Sequence, residues 1–287
     1  MPSLIDIRRR IRSVKNTQQI TKAMKMVSAA KLRRAQDRVI AGRPYAAMLR
    51  QILSNVIAAA GDSDDSGSLA LLAARPEDRI QLILLTSDRG LAGAFNSNLI
   101  KAAQKFIREH PNAKIEIETL GRKGRDFFRK RNFVISGEYL GIFAKPSYTD
   151  ASTIGKKVVE RLKNNEIDAV YLIYNEFKTV ATQNLTVTRI LPVEPPKSGE
   201  RINYIFEQPP VDLLMSLLPR YVEVQIYSAI VESTAAEHAA RMTAMDAASS
   251  NAGDVIERLT LYMNRVRQAS ITKEIIEVVS GAAAAAE

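Results

Sequence analysis

The sequence predicts an α/β central domain, with a Rossmann-like sheet and flanking helices, joined to a long antiparallel coiled coil formed by the N- and C-terminal helices. Residues 1–60 and 210–287 carry apolar residues spaced three and four apart over many turns, which is typical of long helices. Residues 76–209 alternate between short apolar strands and amphipathic helices, the pattern of an α/β sheet. We therefore predict three domains with these boundaries.

The N-terminal helix has an N-cap signal at Ser3, with Asp6 three residues further on. Offsets between its apolar runs predict that the register drifts along the helix. The glycine and proline of residues 42–44 predict a bend or a break, and residues 61–68 predict its end. The apolar runs are Leu4, Ile7, Ile11 and Val14; Ile20, Met24 and Val27; Leu32, Ala35 and Val39; and Ala46, Leu49, Leu53 and Val56.

The C-terminal helix is more regular. From Tyr221 to Val266, apolar or small residues alternate by three and four, and His238 is the exception. A period of 3.5 residues winds helices into a left-handed coiled coil. We predict that the two terminal helices pack as an antiparallel pair and that the longer C-terminal helix projects beyond its partner.

Charge is distributed unevenly along the chain, whose formal net charge is +10. Residues 1–60 hold 13 basic and two acidic residues, whereas residues 210–287 hold six basic and ten acidic residues. Opposite charge favours contact between the two helices, but exposed ion pairs are weak, so apolar burial must supply most of the adhesion.

Composition also bounds the class of protein. The absence of cysteine excludes thiol catalysis, thiolate metal sites and disulfide control, and it fits a reducing compartment. No apolar run is as long as a membrane span, and no signal-peptide pattern is present at the N-terminus. These features predict a cytoplasmic protein.

The central domain has its own predicted order of elements. We predict strands at Arg79–Ser87, Lys114–Leu120, Asn132–Ser136, Ala169–Tyr174 and Gln183–Leu191, with the last two paired as neighbours. We predict helices at Asn96–His110, Arg122–Arg131 and Thr149–Asn164, the last capped by Thr149 or Asp150.

Few residues suggest catalysis. The loop Ser87–Asn96 follows a strand and opens a helix, where nucleotide-binding folds place phosphate loops, but its glycines do not match either phosphate-binding motif. A tight structural turn is the favoured interpretation, with a phosphate site as the alternative. His110 and His238 fit a surface cap and an interhelical polar contact better than catalysis, and no His and acid cluster has metal-ligand spacing.

Five methionines allow two interpretations. Met24, Met26, Met242, Met245 and Met263 fit core positions, because methionine fills irregular gaps. Alternatively, flexible apolar side chains suit a surface that repacks against successive partners.

Three stretches resemble a known family. They are IRRRIRSVKNTQQITKAMKMVSAAKLRRAQ at Ile7–Gln36, SDRGLAGAFN at Ser87–Asn96 and RQASITKEIIEVVSGAAAA at Arg267–Ala285. In this order they resemble the gamma subunit of bacterial-type F-type ATP synthases, and the resemblance runs from end to end. Ala92 stands where many relatives have cysteine, which argues against the thiol regulation of chloroplast forms.

The resemblance implies a rotor subunit of the central stalk that has no catalytic site and binds no cofactor or metal. It would couple proton flow through the membrane c-ring to ATP synthesis or hydrolysis at the beta-subunit sites, by rotation within the alpha3beta3 hexamer. The implied partners are the alpha, beta, epsilon and delta subunits and the c-ring, without nucleic acid. The implied location is the cytoplasmic face of the bacterial inner membrane, with membrane association only through the complex.

The resemblance also implies particular contact residues. Met24 matches the residue that faces an acidic loop of a beta subunit, and Arg241, Gln268, Thr272 and Glu274 match positions of energy coupling or of contact with the surrounding ring. On electrostatic grounds we add Arg8, Arg9 and Lys25, because basic groups would attract acidic loops. For each of these charges, a solvated helix face is the alternative.

Two other classes of protein compete with this interpretation. An α/β enzyme with helical arms would bind a nucleotide or a substrate as an isolated chain. A coiled-coil nucleic-acid binder would use the basic helix and would bind DNA with a steep salt dependence. Against the second class, the basic helix lacks interleaved aromatic residues, and its apolar face is committed to the coiled coil.

Overall fold

The computed structural model describes residues 3–60, 71–73, 75–194 and 207–284. The predicted end of the first helix at residues 61–68 lies outside the described residues. The elements in chain order are α1 (Leu4–Ala60), β1 (Arg79–Leu85), α2 (Phe95–Glu109), β2 (Lys114–Leu120), α3 (Arg122–Arg129), β3 (Ile135–Tyr139), a 3₁₀ turn (Ile142–Ala144), α4 (Tyr148–Lys163), β4 (Ala169–Phe177), β5 (Gln183–Leu191) and α5 (Pro210–Ala284).

Contacts separate the chain into two compact units. The first unit contains Met1–Val27 and Met242–Glu287, and the second contains Ser28–Arg241. The long helices α1 and α5 contribute to both units, and each unit contains an antiparallel pair of their segments. The predicted fold class, an α/β domain with a long helical pair, is confirmed. The three-domain division stays a prediction.

The start of α1 is capped as predicted. The backbone N–H of Asp6 donates to Ser3 Oγ at 3.2 Å, and the backbone N–H of Ser3 donates to Asp6 Oδ2 at 3.2 Å. These reciprocal bonds satisfy donors that the first turn of a helix leaves free. Hydrogen bonds from the side chain and backbone of Ser3 lower the pKa of Asp6.

The seam of α1 differs from the sequence interpretation. Ile20 and Val27 were expected in it, but their exposed fractions are 60% and 56%. Thr21 and Ser28 are buried instead, and Gln18 is half-buried. The apolar runs were misleading, because polar residues hold the seam positions in the middle of the helix.

The register of α1 therefore does not drift. Its inward positions step alternately by three and four without a break. They are residues 4, 7, 11, 14, 18, 21, 25, 28, 32, 35, 39, 42, 46, 49, 53 and 56. This 3.5-residue period is the one that keeps a seam on its partner helix in a left-handed coiled coil.

Helix α1 also continues through Pro44, where a break was one of two expectations. Val39 and Leu49, each five residues from the proline, are both buried, so packing holds the helix on either side. Ile40, whose carbonyl loses its helical donor at Pro44, belongs to the exposed face, where water can bond to it. Tertiary packing has outweighed the local preference of proline.

The second unit contains a five-stranded sheet in the order β3-β2-β1-β4-β5. The first four strands are parallel, and β5 pairs antiparallel with β4, which confirms the predicted neighbours. Helices α2 and α3 cover one face of the sheet. Helix α4 and the first half of α5 lie on the other, where Ile83, Ile154 and Leu218 join one buried cluster. With helices on both faces, β1 is buried at every position after Arg79, including the polar Gln81, as is typical of strands in parallel sheets.

Several element boundaries differ from the predictions by one to three residues, and two of the differences have a visible cause. Strand β3 begins at Ile135 rather than Asn132, because the chain first turns at Asn132, whose φ is +56° and whose N–H donates to Arg129 O at 3.2 Å. The cap of α4 is Ser147 rather than Thr149 or Asp150, since Ser147 Oγ accepts from the N–H of Thr149 at 3.1 Å.

Gly121 closes the turn between β2 and α3. Its φ is +102°, and a Cβ at this position would lie 1.9 Å from the carbonyl oxygen of Thr86. Strand β1 ends beside this turn, where the N–H of Thr86 donates to Leu120 O at 2.7 Å. The close approach of two backbones therefore requires glycine.

We predict that Gly121→Ala lowers the free energy of unfolding by about 3 kcal/mol or more, because positive φ and a backbone clash act together. Gly141→Ala is the matched control. Gly141 also has a positive φ of +80°, but its Cβ would meet no atom within 4 Å. That substitution should cost only about 1–2 kcal/mol. Urea unfolding followed by circular dichroism measures both, and equal losses would contradict the role of the clash.

Candidate functional site

The first unit has a polar zone in the middle of its seam. Gln18 Nε2 donates to the carbonyl oxygen of Ser249 at 3.1 Å, and the hydroxyls of Thr21 and Ser249 lie 2.6 Å apart. Next to them, Lys25 Nζ pairs with Asp246 Oδ1 at 2.6 Å. Hydrogen bonds replace apolar contacts here, and they fix the register of the two helices.

Met24 and Lys25 stand at this polar zone, where both are half-buried. A groove of about 450 Å³ runs along the two helices beside Lys25. Its lining includes Lys22, Lys25 and the exposed side chain of Met26. The groove offers cations and a flexible apolar side chain to a partner.

Beyond this polar zone, α5 extends further than its partner helix α1. Seventeen residues separate Thr21 from Leu4, and the same number separates Ser249 from Val266. Because the helices are antiparallel, α1 begins opposite Val266, the last position of the predicted seam. From residue 267 to 280, every residue is exposed except the half-buried Ser270.

This unpaired part of α5 is apolar over much of its surface. Five large apolar residues are exposed there. They are Ile271, Ile275, Ile276, Val278 and Val279. Contiguous exposed apolar surface of this kind marks a site of interaction with another protein.

Gln268, Thr272 and Glu274 lie on the same unpaired segment and are all exposed. Thr272 Oγ1 donates to the carbonyl oxygen of Gln268 at 2.9 Å, and Ser270 Oγ donates to Glu274 Oε1 at 3.3 Å. These bonds are internal to the helix. The side chains of Gln268 and Glu274 remain accessible to a partner.

The basic face of α1 is almost free of internal partners. Arg8 and Arg9 are exposed, like most of the thirteen basic residues of this helix. Among the described residues, only Lys25 and Arg43 of these thirteen form an ion pair, with Asp246 and Glu232. Attraction between the oppositely charged helices is therefore a minor contribution, and most of the positive charge faces outwards.

Arg241 lies in the second unit and is buried. Its guanidinium pairs with Glu237 Oε1 at 2.7 Å. It also donates to the carbonyl oxygens of Arg89 and Gly90 at 3.4 Å and 3.3 Å. Arg241 thus attaches α5 to the Ser87–Asn96 loop, one of the three stretches that carried the family resemblance.

Sequence reasoning missed Glu237, the buried partner of Arg241. Burial raises the pKa of the Glu237 carboxyl, while the positive charge of Arg241 acts in the opposite direction. The sequence does place this Glu four residues before the Arg, which is the spacing of a helical ion pair. The surrounding alanine, serine and threonine residues are too apolar for a solvated helix face, and this could have indicated that the pair is buried. His238 contacts the same cluster, with Nδ1 3.5 Å from the Arg241 guanidinium.

The Ser87–Asn96 loop is a turn closed by its own hydrogen bonds. The N–H of Ser87 donates to Asn96 Oδ1 at 2.9 Å, and Ser87 Oγ donates to the carbonyl oxygen of Arg89 at 2.5 Å. The Asp88 carboxylate accepts from the N–H of Arg122, at the start of α3, and from the N–H of Gly141. A side-chain carboxylate therefore holds the position at which an α/β fold can bind a phosphate.

The remaining sequence candidates have structural positions. His110 ends α2, where its Nδ1 lies 2.9 Å from Phe106 O and its ring stacks on Phe106 at 4.3 Å. Met245 is buried, which fits a core position, and Met26 is exposed, which fits a surface that contacts partners. In the described ranges, no group of three or more His, Cys, Asp or Glu residues could hold a metal ion. No helix there is long and apolar enough to cross a membrane.

These features define a class of protein, a non-enzymatic subunit of a larger assembly that presents paired long helices to its partners. Its helical pair ends in an apolar segment with no partner in the chain's own described residues, and its own side chains fill the edge of the sheet that binds ligands in other α/β folds. Comparison with known proteins agrees. A family model described as ATP synthase matches residues 3–285.

Two bacterial relatives match along their whole length. The ATP synthase gamma chain of Solibacter usitatus is 64% identical over 285 residues, which cover 99% of this chain and 100% of the relative. The gamma chain of Pelotomaculum thermopropionicum is 50% identical over 287 residues, which cover 99% of each. This chain belongs to the family of ATP synthase gamma chains. It is accordingly a non-catalytic stalk subunit of an F-type ATPase, and the two competing classes are set aside.

Solved structures share the fold. A chain of the central stalk and c-ring structure of the Tetrahymena thermophila mitochondrial ATP synthase has a TM-score of 0.64 at 24% identity, covering 80% of this chain and 99% of that chain. A chain of the Euglena gracilis mitochondrial ATP synthase in rotational state 3 has a TM-score of 0.66 at 20% identity, covering 98% and 94%.

The buried cluster around His238 should make stability depend on pH. Burial, together with the charges of Arg241 and Lys31, lowers the pKa of His238 to about 4 from an ordinary value of 6.5. A lowered histidine pKa contributes stability that is fully present above pH 6.5 and is lost progressively as the pH falls from there towards the folded-state value of about 4. We predict that wild-type protein loses about 2–3 kcal/mol from this group between about pH 7.5 and pH 4.5.

Urea unfolding of His238→Gln at both pH values tests this prediction, because glutamine keeps a polar side chain that does not titrate. The acid-induced loss should be smaller than in wild type by about 2–3 kcal/mol. His110→Gln, at the other histidine of the chain, is the control and has to keep the wild-type loss. The same loss in all three proteins would show that His238 is not responsible.

Proposed function

We propose that this chain is the rotating shaft of the central stalk, turning within a hexamer of three alpha and three beta subunits. The observation that carries the proposal is the unpaired segment of α5, with exposed residues from 267 onwards and five large apolar side chains among them. Leaving such a segment in water is unfavourable, at about 25 cal/mol per Å² of apolar surface. A surrounding collar of other subunits would cover it.

The collar has to allow rotation. Apolar contact is not directional, so an apolar segment can turn inside an apolar sleeve without breaking specific bonds. The sequence beyond Val279 continues as SGAAAAAE, which carries few groups able to form directional hydrogen bonds. In this proposal the end of α5 is the part of the chain that turns in contact with the surrounding subunits.

Asymmetry transmits the rotation. A partner shifts a conformational equilibrium only through its different interactions with the two states, so a symmetric shaft would act equally on three identical sites. Here one helix carries 13 basic and two acidic residues, while its neighbour is acidic. Each beta subunit would meet a different surface of the shaft at any moment, and proton flow through the c-ring would thereby drive ATP synthesis.

Two groups of residues are proposed as contacts. Met24 and Lys25, together with Arg8 and Arg9, would face acidic loops of the beta subunits, because α1 is strongly basic in the first unit and only Lys25 there has an ion-pair partner, Asp246, among the described residues. Gln268, Thr272 and Glu274 would contact the collar around the unpaired segment.

Arg241 would act differently. It is buried and bonded to Glu237 and to two loop carbonyls, so we propose that it transmits force between α5 and the Ser87–Asn96 loop rather than contacting a partner through its guanidinium.

The proposal also assigns further partners and a location. The α/β domain would meet the epsilon subunit and the c-ring, with the delta subunit elsewhere in the complex. The chain would lie at the cytoplasmic face of the bacterial inner membrane and would be held there by the complex. Bacterial relatives at 64% and 50% identity support this location.

Co-purification tests the assembly. The tagged chain, expressed with its operon partners, should be recovered with alpha and beta subunits in a 3:3:1 ratio. Truncation after Val266 removes the unpaired segment and keeps the predicted seam, so it should weaken recovery of the hexamer and leave the remaining chain folded. Recovery of the full chain only as a free monomer would contradict the proposal.

We predict that Met24→Lys impairs coupling more than folding. A new ammonium beside Lys25 would disturb the pairing with Asp246 and alter the charge offered to the beta loop. ATP-driven proton pumping by membrane vesicles should fall several-fold relative to ATP hydrolysis, while the free energy of unfolding changes by less than about 1 kcal/mol, as expected at a half-buried site.

Met24→Leu is the matched control, because it keeps an apolar side chain of similar volume. It should pump protons like wild type. If Met24→Lys also pumped normally for each ATP hydrolysed, Met24 would not be a coupling contact.

A further inference from the structure

A cavity of about 410 Å³ lies in the second unit, between α1, α5, β4 and the start of α4. Sites for small molecules in proteins usually measure about 300–1,000 Å³ and combine apolar walls with a few polar groups. The residues that line it all belong to the second unit, and nothing in the proposed rotor mechanism uses it.

Gly42 creates much of the opening. It occupies a seam position of α1 between Val39 and Ala46, and a Cβ built on it would meet no atom within 4 Å. Glycine and proline are the least favourable residues in a helix interior, yet α1 has Gly42 and Pro44 here within one turn. A side chain at position 42 would fill the space and favour the helix, so the sequence keeps the cavity open against local preference.

Aromatic side chains form part of the wall. Tyr148, Tyr174 and Tyr227 line the cavity, and the rings of Tyr148 and Tyr227 meet edge to face with centroids 5.9 Å apart. Burial raises the pKa of Tyr174 to about 12, so this phenol is a neutral donor near pH 7. A planar aromatic ligand could contact these rings through offset or edge contacts.

The charged groups of the wall are unequally occupied. Arg43 is engaged, with Glu232 at 3.3 Å and the carbonyl oxygen of Phe177 at 2.9 Å. Arg38 and Arg50 also line the cavity, and the guanidinium group of neither forms an ion pair or hydrogen bond with any residue that the structure describes. Free guanidinium groups bind carboxylates and other planar oxyanions through paired N–H donors.

Glu176 completes the polar set. Its carboxylate lines the cavity and has no hydrogen-bond partner within the described ranges. A carboxylate accepts hydrogen bonds, so it suits a hydroxyl group of a ligand and disfavours a second acid group next to it.

We propose that this cavity is a binding site for a small planar aromatic anion, of the class of hydroxylated aromatic acids. The ring contacts the tyrosines, and a ligand hydroxyl donates to Glu176. The acid group pairs with the free guanidinium group of Arg38 or of Arg50, which lie about 18 Å apart along α1 at opposite ends of the cavity wall. Bound between α1, α5 and β4, the ligand holds three elements of the second unit together. The proposal does not depend on rotation, so the two can fail separately.

Two dyes of similar shape test the site on the full chain. The probe 8-anilino-1-naphthalenesulfonate is an aromatic anion, and N-phenyl-1-naphthylamine is an analogue without the sulfonate. Fluorescence titration should show one saturable site for the anionic dye, bound about tenfold more tightly than the neutral dye. Equal affinity for both dyes would show that the site does not recognise an anionic group, which contradicts the proposal.

Substitutions at Gly42 locate the site. Gly42→Leu should fill the cavity and weaken the anionic dye at least about tenfold, whereas Gly42→Ala adds one methyl group to open space and should keep the affinity within about threefold. Circular dichroism confirms that both variants fold. Unchanged binding by Gly42→Leu, or several unsaturable sites, would assign the dye to exposed apolar surface such as the end of α5 and overturn the proposal.

Substitution of the arginines tests the charge. The double variant Arg38→Gln and Arg50→Gln should weaken the anionic dye about tenfold and the neutral dye less than about threefold. An equal loss for both dyes would mean that the arginines only shape the wall.

Discussion

The seam between α1 and α5 is the interaction on which the other features depend. In each unit the inward positions of α1 follow a continuous 3.5-residue period from Leu4 to Val56, and those of α5 do so from Tyr221 to Val266. Such a period requires a partner helix along its whole length. Where α1 begins, opposite Val266, the partner is missing, and the apolar surface that follows has to be covered by another protein. The free end therefore follows from unequal helix lengths on one seam.

Polar residues in the seam set its register. Gln18, Thr21 and Ser249 bond to one another across the helices, and this fixes one register among those that an apolar seam would allow. Charge contributes less, since the ion pairs of Lys25 and Arg43 are at least partly exposed and such pairs are worth about 0–1 kcal/mol. Because so few cations of α1 are paired internally, the helix keeps its positive charge for partners.

Helix α5 has a second role in the unit that contains the sheet. One side of it follows the seam with α1, and another side supplies Leu218 and Ile226 to the core above α4. Between residues 233 and 239 every side chain is buried, and Glu237 and His238 of this stretch meet the buried Arg241 away from water. This cluster holds the loop after β1, and Asp88 of that loop caps α3. The edge at which other α/β folds bind a nucleotide is thus occupied by structural contacts.

The sequence by itself determined the two long helices, four of the five strands, the capped start of α1 and, through its resemblance, the family. These features depend on periodicity, end signals and motifs, all of which are local. Only the tertiary structure decided which polar residues enter the seam, that α1 continues through Pro44, that Ser147 caps α4 and that β3 begins at Ile135. It also decided that Arg241 is buried beside Glu237 and that Gly42 opens a cavity. The physical reason is that burial depends on neighbours distant in sequence, so the same Thr, Glu or Gly would be unremarkable on a solvated helix.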